Sequence, residues 1–230
     1  SEQQGIDTGD PRGFATFADL LEAWKRQLDA TLGKSIDYIG SGYLGCSIQH
    51  SNHGRYAYNP LLSALTADCL ERETDVIRGG ARYVIWHCMA EAVANCIDAL
   101  SAIRRLVYEE RAVSLETLLD ALEQNWQGYE SLRQQVLTRP PKYANHQPAA
   151  DEIGRELMAF FVERTRFHAR RYPAILFPCS VGTFSWYTSI GREVSASADG
   201  RLAGEPIAPN FAPAFGMVLI FPTAAIQSYC

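Results

Sequence analysis

The segment ILFPCSVGTFSWYTSIGREVSASADGRLAGEPIAP, residues 175–209, decides how we interpret the fold. Its first third has β-branched and aromatic residues and little charge, which predicts a strand. Its last third, Asp199 to Pro206, holds three charges among turn-forming residues and predicts a loop. Because an apolar strand that runs into a fixed loop can present a pocket wall, we expect this segment to line a binding site.

The composition is that of an ordinary globular protein with a sizeable core, since 47% of the 230 residues are hydrophobic and 20% are charged. The net charge of -5 argues against nucleic acid as a partner. No apolar run has membrane-spanning length, and no basic-then-apolar leader opens the sequence, so we expect no membrane partner. Six cysteines without paired CxxC spacing favour a reducing, cytoplasmic location.

Helical periodicity dominates the residues that precede the opening segment. The predicted helices cover residues 14–32, 60–74, 88–111, 114–128 with a continuation over 129–137, and 150–169. Residues 34–59 predict an irregular connection, and residues 206–230 predict an extended tail. Because a lone strand pair cannot form a sheet with its own core, we expect the chain to be part of a larger α/β structure whose sheet partners lie outside this sequence.

Two short motifs could bind a cofactor or a metal, and in both cases a loop is the favoured interpretation. Gly40 to Gly45 matches GxGxxG after the strand-like SIDYI, but the residues that follow have no helical apolar face to carry a nucleotide site. His50 and His53 are spaced for one helix face, yet no neighbouring Cys, Asp or Glu completes a ligand set. We therefore predict neither a nucleotide site nor a metal site.

The cysteines and paired carboxylates offer few catalytic candidates. Four cysteines, at positions 46, 69, 88 and 96, are predicted to be packed thiols, whereas Cys179 lies on the predicted pocket strand and is the one candidate reactive thiol. The carboxylate pairs are predicted to lie on solvated helix surfaces beside Lys or Arg. These pairs are Glu109 with Glu110, Glu71 with Glu73, and Asp151 with Glu152.

Seven motifs occur in a fixed order along the sequence. They are NPLLSAL with DCLER at 59–72, GGARY at 79–83, NCIDALSAIRRLV at 95–107, NWQGYE at 125–130, PKYAN at 141–145, DGRLAGEP at 199–206 and PTAAI at 222–226. Together they resemble the glycyl radical enzymes of the pyruvate formate-lyase type, over about residues 14–228. The resemblance implies an α/β fold in which helices pack around part of a ten-stranded α/β barrel. Residues 1–170 would be mainly helical, and residues 171–230 would form a barrel strand, the DGR loop and the tail.

The resemblance also indicates what the 230 residues lack. In this family a cysteine that becomes a thiyl radical precedes these motifs, and a glycine that stores the radical follows them. Neither loop is found here, so we expect no catalytic residue and no directly bound cofactor, with the glycyl radical outside this chain. The expected partners are a radical S-adenosylmethionine activating enzyme, a small-molecule substrate and a second copy in a homodimer. Ala198 and Phe221 are smaller departures, at positions where the family usually has proline and glycine.

The activity that the resemblance implies is radical cleavage of a C–C, C–O or C–N bond by a lyase, dehydratase or decarboxylase. Formate acetyltransferase is one alternative, and an inert fragment or interaction piece is another. In the family, alternate residues upstream of the DGR loop face the substrate, which points to Gly182 and Phe184. Period-two alternation adds Ser180 and Trp186. This face has no charge, so we expect a bulkier or more apolar substrate than pyruvate or glycerol; the alternative is that Trp186 packs outward against a helix.

Overall fold

The computed structural model describes residues 5–44, 59–182, 185–217 and 221–229, and most of these residues are helical. The α-helices are α1 (Phe17–Leu44), α2 (Pro60–Leu65), α3 (Val93–Ala102), α4 (Leu115–Glu123), α5 (Glu130–Thr138), α6 (Pro148–Ala169), α7 (Tyr187–Glu193) and α8 (Pro222–Tyr229). The strands are β1 (Val84–Ile85), β2 (Cys88–Ala90), β3 (Ile175–Leu176) and β4 (Cys179–Val181). Within the described ranges, no helix has both the length and the apolar character needed to cross a membrane.

The chain divides into two compact units, which we describe separately. The first comprises the N-terminal residues up to Ile6, Arg26–Cys88 and Phe161–Cys179. The second comprises Asp7–Lys25, Met89–Phe160 and Ser180–Cys230.

The strands form short parallel ladders. In the first unit, β1 pairs with β3, with Val84 opposite Ile175 and Ile85 opposite Leu176, and β2 pairs with β4 further along the chain. Each of these strands therefore has one partner within this chain, and the expectation that further sheet partners lie outside this sequence stays a prediction. Strands of two or three residues are too short to show alternation, and β2 was included in the helix predicted for residues 88–111.

A carboxylate in the first unit fixes α1 to α6. Asp29 Oδ1 accepts hydrogen bonds from Arg164 Nε at 2.7 Å and shares one with His168 Nε2 at 2.6 Å. Burial opposes ionisation of Asp29, but the hydrogen bonds from Arg164 and His168 outweigh it and hold the pKa of Asp29 below its ordinary value. These contacts join positions more than a hundred residues apart, which sequence periodicity does not reveal.

The C-terminal part of α1 corrects the interpretation of the GxGxxG motif. Residues 40–44 of that motif are helical, as is the preceding SIDYI, in which Ile36 is fully buried. A side chain at position 40 would overlap the ring of Tyr172, because a Cβ there would lie 2.4 Å from ring atoms. Gly40 therefore allows the close approach of the Tyr172 ring to α1 and does not serve phosphate binding. Gly45, Cys46, His50 and His53 lie outside the described residues.

Two apolar clusters form the core of the second unit. In one, α3 packs against the first half of α6 and the start of α1 through Ile97, Leu157 and Leu21. In the other, α4 and α5 surround Leu106, which lies on a π-helix (Ile103–Glu109) that continues α3. Ser114 begins α4 by accepting a hydrogen bond from Thr117 N at 3.0 Å, as its sequence position predicts.

Several boundaries and burial predictions need correction. The helix predicted for 60–74 ends at Leu65, and the tail predicted as extended contains α8, which begins at Pro222, a residue suited to a first helical turn. The surface prediction is confirmed for Glu110, which pairs with Arg105 and Arg139. It is wrong for Asp151, which is buried against the helical core.

Candidate functional site

The loop after the predicted pocket strand begins with three buried residues, 199–201, and is tightly hydrogen-bonded. Asp199 is 4% exposed and Arg201 is 7% exposed. Asp199 Oδ1 accepts hydrogen bonds from Ser197 Oγ at 2.5 Å and from Arg201 N at 3.3 Å. The prediction of a fixed loop is therefore confirmed, with Asp199 and Arg201 buried and the third charge, Glu205, exposed.

The guanidinium group of Arg201 organises the backbone on both sides of the loop. It donates to the carbonyl oxygens of Leu202 at 3.0 Å and Glu205 at 2.9 Å. It also donates to the carbonyl oxygens of Val194 and Ser195, which end α7 and begin the loop. A planar group with five N–H donors can hold several carbonyls in one place, which a lysine in the same position could not do.

Three further contacts fix the outside of the loop. Arg133 Nε on α5 donates to Gly200 O at 2.7 Å, and Ala203 N donates to Asn125 Oδ1 at 2.7 Å. Gly200 has φ of +97°, and a Cβ there would lie 2.7 Å from a methyl of Leu137. Position 200 therefore needs glycine both for its backbone conformation and for its close approach to α5.

Asn95 connects α3 to the loop and to the chain beyond it. Its side-chain Nδ2 donates to Asp199 Oδ2 at 2.6 Å, and its Oδ1 accepts from Ala208 N at 2.7 Å. Because both polar ends of the buried amide are used, replacing it leaves unsatisfied groups on each side. Asn95 and Asp199 lie in separate sequence motifs, and the structure brings the two motifs together.

Two further buried ionisable side chains, Asp98 and Lys142, lie near Asp199 of this network. Asp98 is fully buried and accepts from Tyr143 N at 2.8 Å, while Asp98 Oδ2 and the buried Lys142 Nζ have no hydrogen-bond partner among the described residues. Burial raises the pKa of Asp98 to about 7. Burial also lowers the pKa of Lys142. Both shifts favour the neutral forms of these side chains. Asp98 and Lys142 lie in motifs that the sequence analysis used for the family resemblance, without giving either residue a role.

The raised pKa of Asp98 makes stability depend on pH. The unfolded carboxyl ionises near its ordinary pKa of 3.8 and the folded one near 7, so the folded chain binds more protons between these values. The free energy of unfolding should therefore fall as pH rises from about 4 to about 7, by about 2 to 4 kcal/mol. Asp98→Asn should remove that fall in urea unfolding at about pH 5 and pH 7.5, whereas Glu116→Gln, at an exposed position, should retain it.

The predicted substrate residues do not continue along one strand. Ser180 lies in β4 and is half-buried, and Gly182 follows it, donating from its N to Ala90 O at 3.3 Å. Phe184 lies outside the described residues. Trp186 is 67% exposed and has helical backbone angles, because α7 begins directly after it. The period-two argument for Trp186 is therefore wrong, since β4 ends at Val181.

Gly182 does not leave an open space beside the strand. A Cβ at this position would lie 2.7 Å from Asn210 Oδ1, so the amide of Asn210 fills the space. Asn210 has φ of +52°, a conformation that asparagine tolerates better than most residues. Sequence reasoning missed Asn210, and its only signal was a turn-forming residue after Pro209.

The sequence analysis considered a metal site only at His50 and His53, and both lie outside the described residues. In the described ranges, no group of three or more His, Cys, Asp or Glu side chains could hold a metal ion. Cys69 is buried, and burial together with the nearby Asp199 raises the pKa of Cys96 to about 12, which agrees with their interpretation as packed thiols.

Comparisons with known proteins agree with the motif order. The chain matches the family described as "Pyruvate formate lyase-like" over residues 1–191. It is 32% identical to trans-4-hydroxy-L-proline dehydratase of Clostridioides difficile over 99% of this chain and 28% of that protein. It is 30% identical to isethionate sulfite-lyase of Bilophila wadsworthia over 98% of this chain and 26% of that protein.

A solved structure gives the same result for the fold. The structure that describes 1,2-propanediol dehydration in Roseburia inulinivorans superposes with a TM-score of 0.85 and 27% identity, over 99% of this chain and 28% of that one. The chain belongs to the pyruvate formate lyase-like family of glycyl radical enzymes. It spans 28% of the length of the hydroxyproline dehydratase that it matches.

Proposed function

We propose that this chain is a mainly helical part of a longer glycyl radical enzyme. The whole enzyme would eliminate a leaving group from a small organic substrate. The observation that carries the proposal is the 32% identity to a hydroxyproline dehydratase over 99% of this chain. The similarity to a sulfite-lyase and to a structure on propanediol dehydration supports the same class. These relatives favour elimination over the acetyl transfer of a formate acetyltransferase.

The barrel of the family is part of the proposal. The paired residues Ile85 on β1 and Leu176 on β3 are 55% and 49% exposed, which is unusual for apolar residues on parallel strands. Exposed apolar side chains on a two-stranded parallel ladder fit a sheet that continues beyond this chain. We infer that β1 to β4 form part of the ten-stranded barrel and that the helices pack outside it.

Within that barrel, we infer that β4 and the residues after it line the substrate site. Ser180 and Phe184 would contact it, with Gly182 between them and Asn210 filling the space beside that glycine. A hydroxyl and an amide can orient a substrate's polar groups without adding charge. Trp186 would contribute apolar surface from the start of α7. The buried DGR loop would hold this segment in place through Arg201.

The radical chemistry would come from groups outside these 230 residues. A glycyl radical, formed by a radical S-adenosylmethionine activating enzyme, supplies hydrogen-atom abstraction in this family. The residues described here would bind and orient the substrate and exclude water. We also propose a homodimer and a cytoplasmic location for the whole enzyme.

The reaction class is tested by product analysis. The natural polypeptide that carries these residues would be activated without oxygen and offered trans-4-hydroxy-L-proline, 1,2-propanediol and bulkier hydroxylated compounds, with pyruvate and coenzyme A in a parallel sample. We expect mass spectrometry to show loss of water from at least one hydroxylated compound. Formate and acetyl-coenzyme A from pyruvate, without any elimination, would show that the acetyltransferase alternative is correct.

A further inference from the structure

Two cysteines lie opposite each other on neighbouring parallel strands. The ladder of β1 and β3 sets Ile85 opposite Leu176. It continues as Cys88 N donates to Pro178 O at 3.0 Å. In a parallel ladder, a residue that donates to the carbonyl of one residue lies opposite the next one. Cys88 is therefore opposite Cys179.

Opposite residues on paired strands place their side chains on the same face of the sheet. Neighbouring strands are about 4.8 Å apart, which is within the Cα separation of about 4.4 to 6.8 Å that disulfides span. Both thiols are free and half-exposed. Cys179 also acts electrostatically on Cys88, as expected for adjacent sulfur atoms. The separation of the two strands therefore suits a disulfide between Cys88 and Cys179.

We propose that Cys88 and Cys179 form a redox-active dithiol that closes to a disulfide when it meets a low-molecular-weight disulfide such as oxidised glutathione. One protein thiolate attacks the oxidant, forming a mixed disulfide and releasing one glutathione thiol. The second protein thiolate then attacks the mixed disulfide and releases the other. The two protein thiols lose two protons and two electrons, and the oxidant accepts them. Nothing in this reaction depends on the radical chemistry proposed above.

The two thiols have different roles in that sequence. Burial, and then the neighbouring Cys179, raises the pKa of Cys88, so Cys88 is a poor initial nucleophile and is suited to the second attack. Cys179 directly precedes Ser180, so the disulfide would tie the start of the proposed substrate segment to β2. Oxidation would therefore act as a reversible covalent link at that segment.

The experiment uses the natural polypeptide that carries these residues, which is reduced, treated with excess oxidised glutathione, denatured, alkylated and digested. We expect a cross-linked pair of peptides containing Cys88 and Cys179, a loss of two hydrogen atoms from that pair, and reversal by dithiothreitol. Detection of both cysteines on separate alkylated or glutathionylated peptides would overturn the proposal, and so would a cross-link from either one to a different cysteine.

Two serine variants test whether the cross-link requires Cys88 specifically. Cys88→Ser should leave Cys179 as a lasting mixed disulfide with glutathione, whereas Cys96→Ser, a matched control on α3, should still form the cross-link. Phenylarsine oxide, which needs two adjacent thiols, gives a second readout on the wild-type chain. One arsenic bound across the Cys88 and Cys179 peptides supports the proposal, and no retained arsenic contradicts it.

Discussion

An Arg201→Met variant of the chain is expected to lose about 3 to 5 kcal/mol of unfolding free energy, measured by urea denaturation. The side chain is almost fully buried and donates to the carbonyls of Leu202, Glu205, Val194 and Ser195. Methionine fills similar volume but offers no donor, so all of these part-buried hydrogen bonds are lost together. The penalty is that of several charge-assisted hydrogen bonds from one buried side chain.

The matched control for this change is Arg192→Met, because Arg192 lies on α7 in the same region and is exposed. We expect that control to change the unfolding free energy by less than about 0.5 kcal/mol. Arg201→Lys should be only a partial replacement, since an ammonium group has three donors and no fixed plane. Equal stability of the Arg201→Met and Arg192→Met variants would show that the guanidinium does not hold the loop.

The second large effect is expected from Asn95→Asp. This change replaces the amide that donates to Asp199 Oδ2 at 2.6 Å with a second carboxylate in a buried site. Two like charges at that distance cannot both be ionised, so the folded pair retains a proton that the unfolded chain releases above about pH 4. We expect a loss of about 3 to 5 kcal/mol at about pH 8 and a smaller loss at about pH 5.

A compensating variant separates this charge effect from a simple packing defect. Asn95→Asp combined with Asp199→Asn exchanges the donor and the acceptor, and keeps an oxygen for Ala208 N and another for Ser197 Oγ. The double variant should recover more than half of the unfolding free energy that Asn95→Asp loses. Such a recovery would show that the two residues interact, because independent substitutions would add their losses. A double variant less stable than Asn95→Asp alone would contradict the direct Asn95–Asp199 contact.

The helices were the part of the fold that the sequence predicted best. Apolar periodicity identified α4, α5 and α6 within a few residues of their ends, because these helices bury one face. Periodicity failed at β1 and β2, which are too short to show alternation, whereas the β-branched residues after Ile175 did predict a strand where β3 and β4 lie. The sequence pattern was also misleading at Ile36. The segment around it, SIDYI, resembles a strand, but Ile36 is a buried residue of α1.

The site was predictable in part. Turn chemistry indicated a fixed loop at residues 199–206, and the family resemblance indicated the strand before it. Neither could show that Asn95 reaches Asp199, since that contact joins residues 104 positions apart. Asn210 beside Gly182 was missed for the same reason. Long-range hydrogen bonds between polar side chains leave no periodic pattern, so only the three-dimensional structure reveals them.

The most direct test of the proposed function is electron paramagnetic resonance of the natural polypeptide that carries these residues. It would be incubated without oxygen with an activating enzyme, S-adenosylmethionine and a reductant. We predict the doublet of a glycyl radical in that sample and no such signal from the isolated 230-residue chain. A doublet from the isolated chain, or a silent natural polypeptide while a known glycyl radical enzyme is activated under the same conditions, would contradict the proposal.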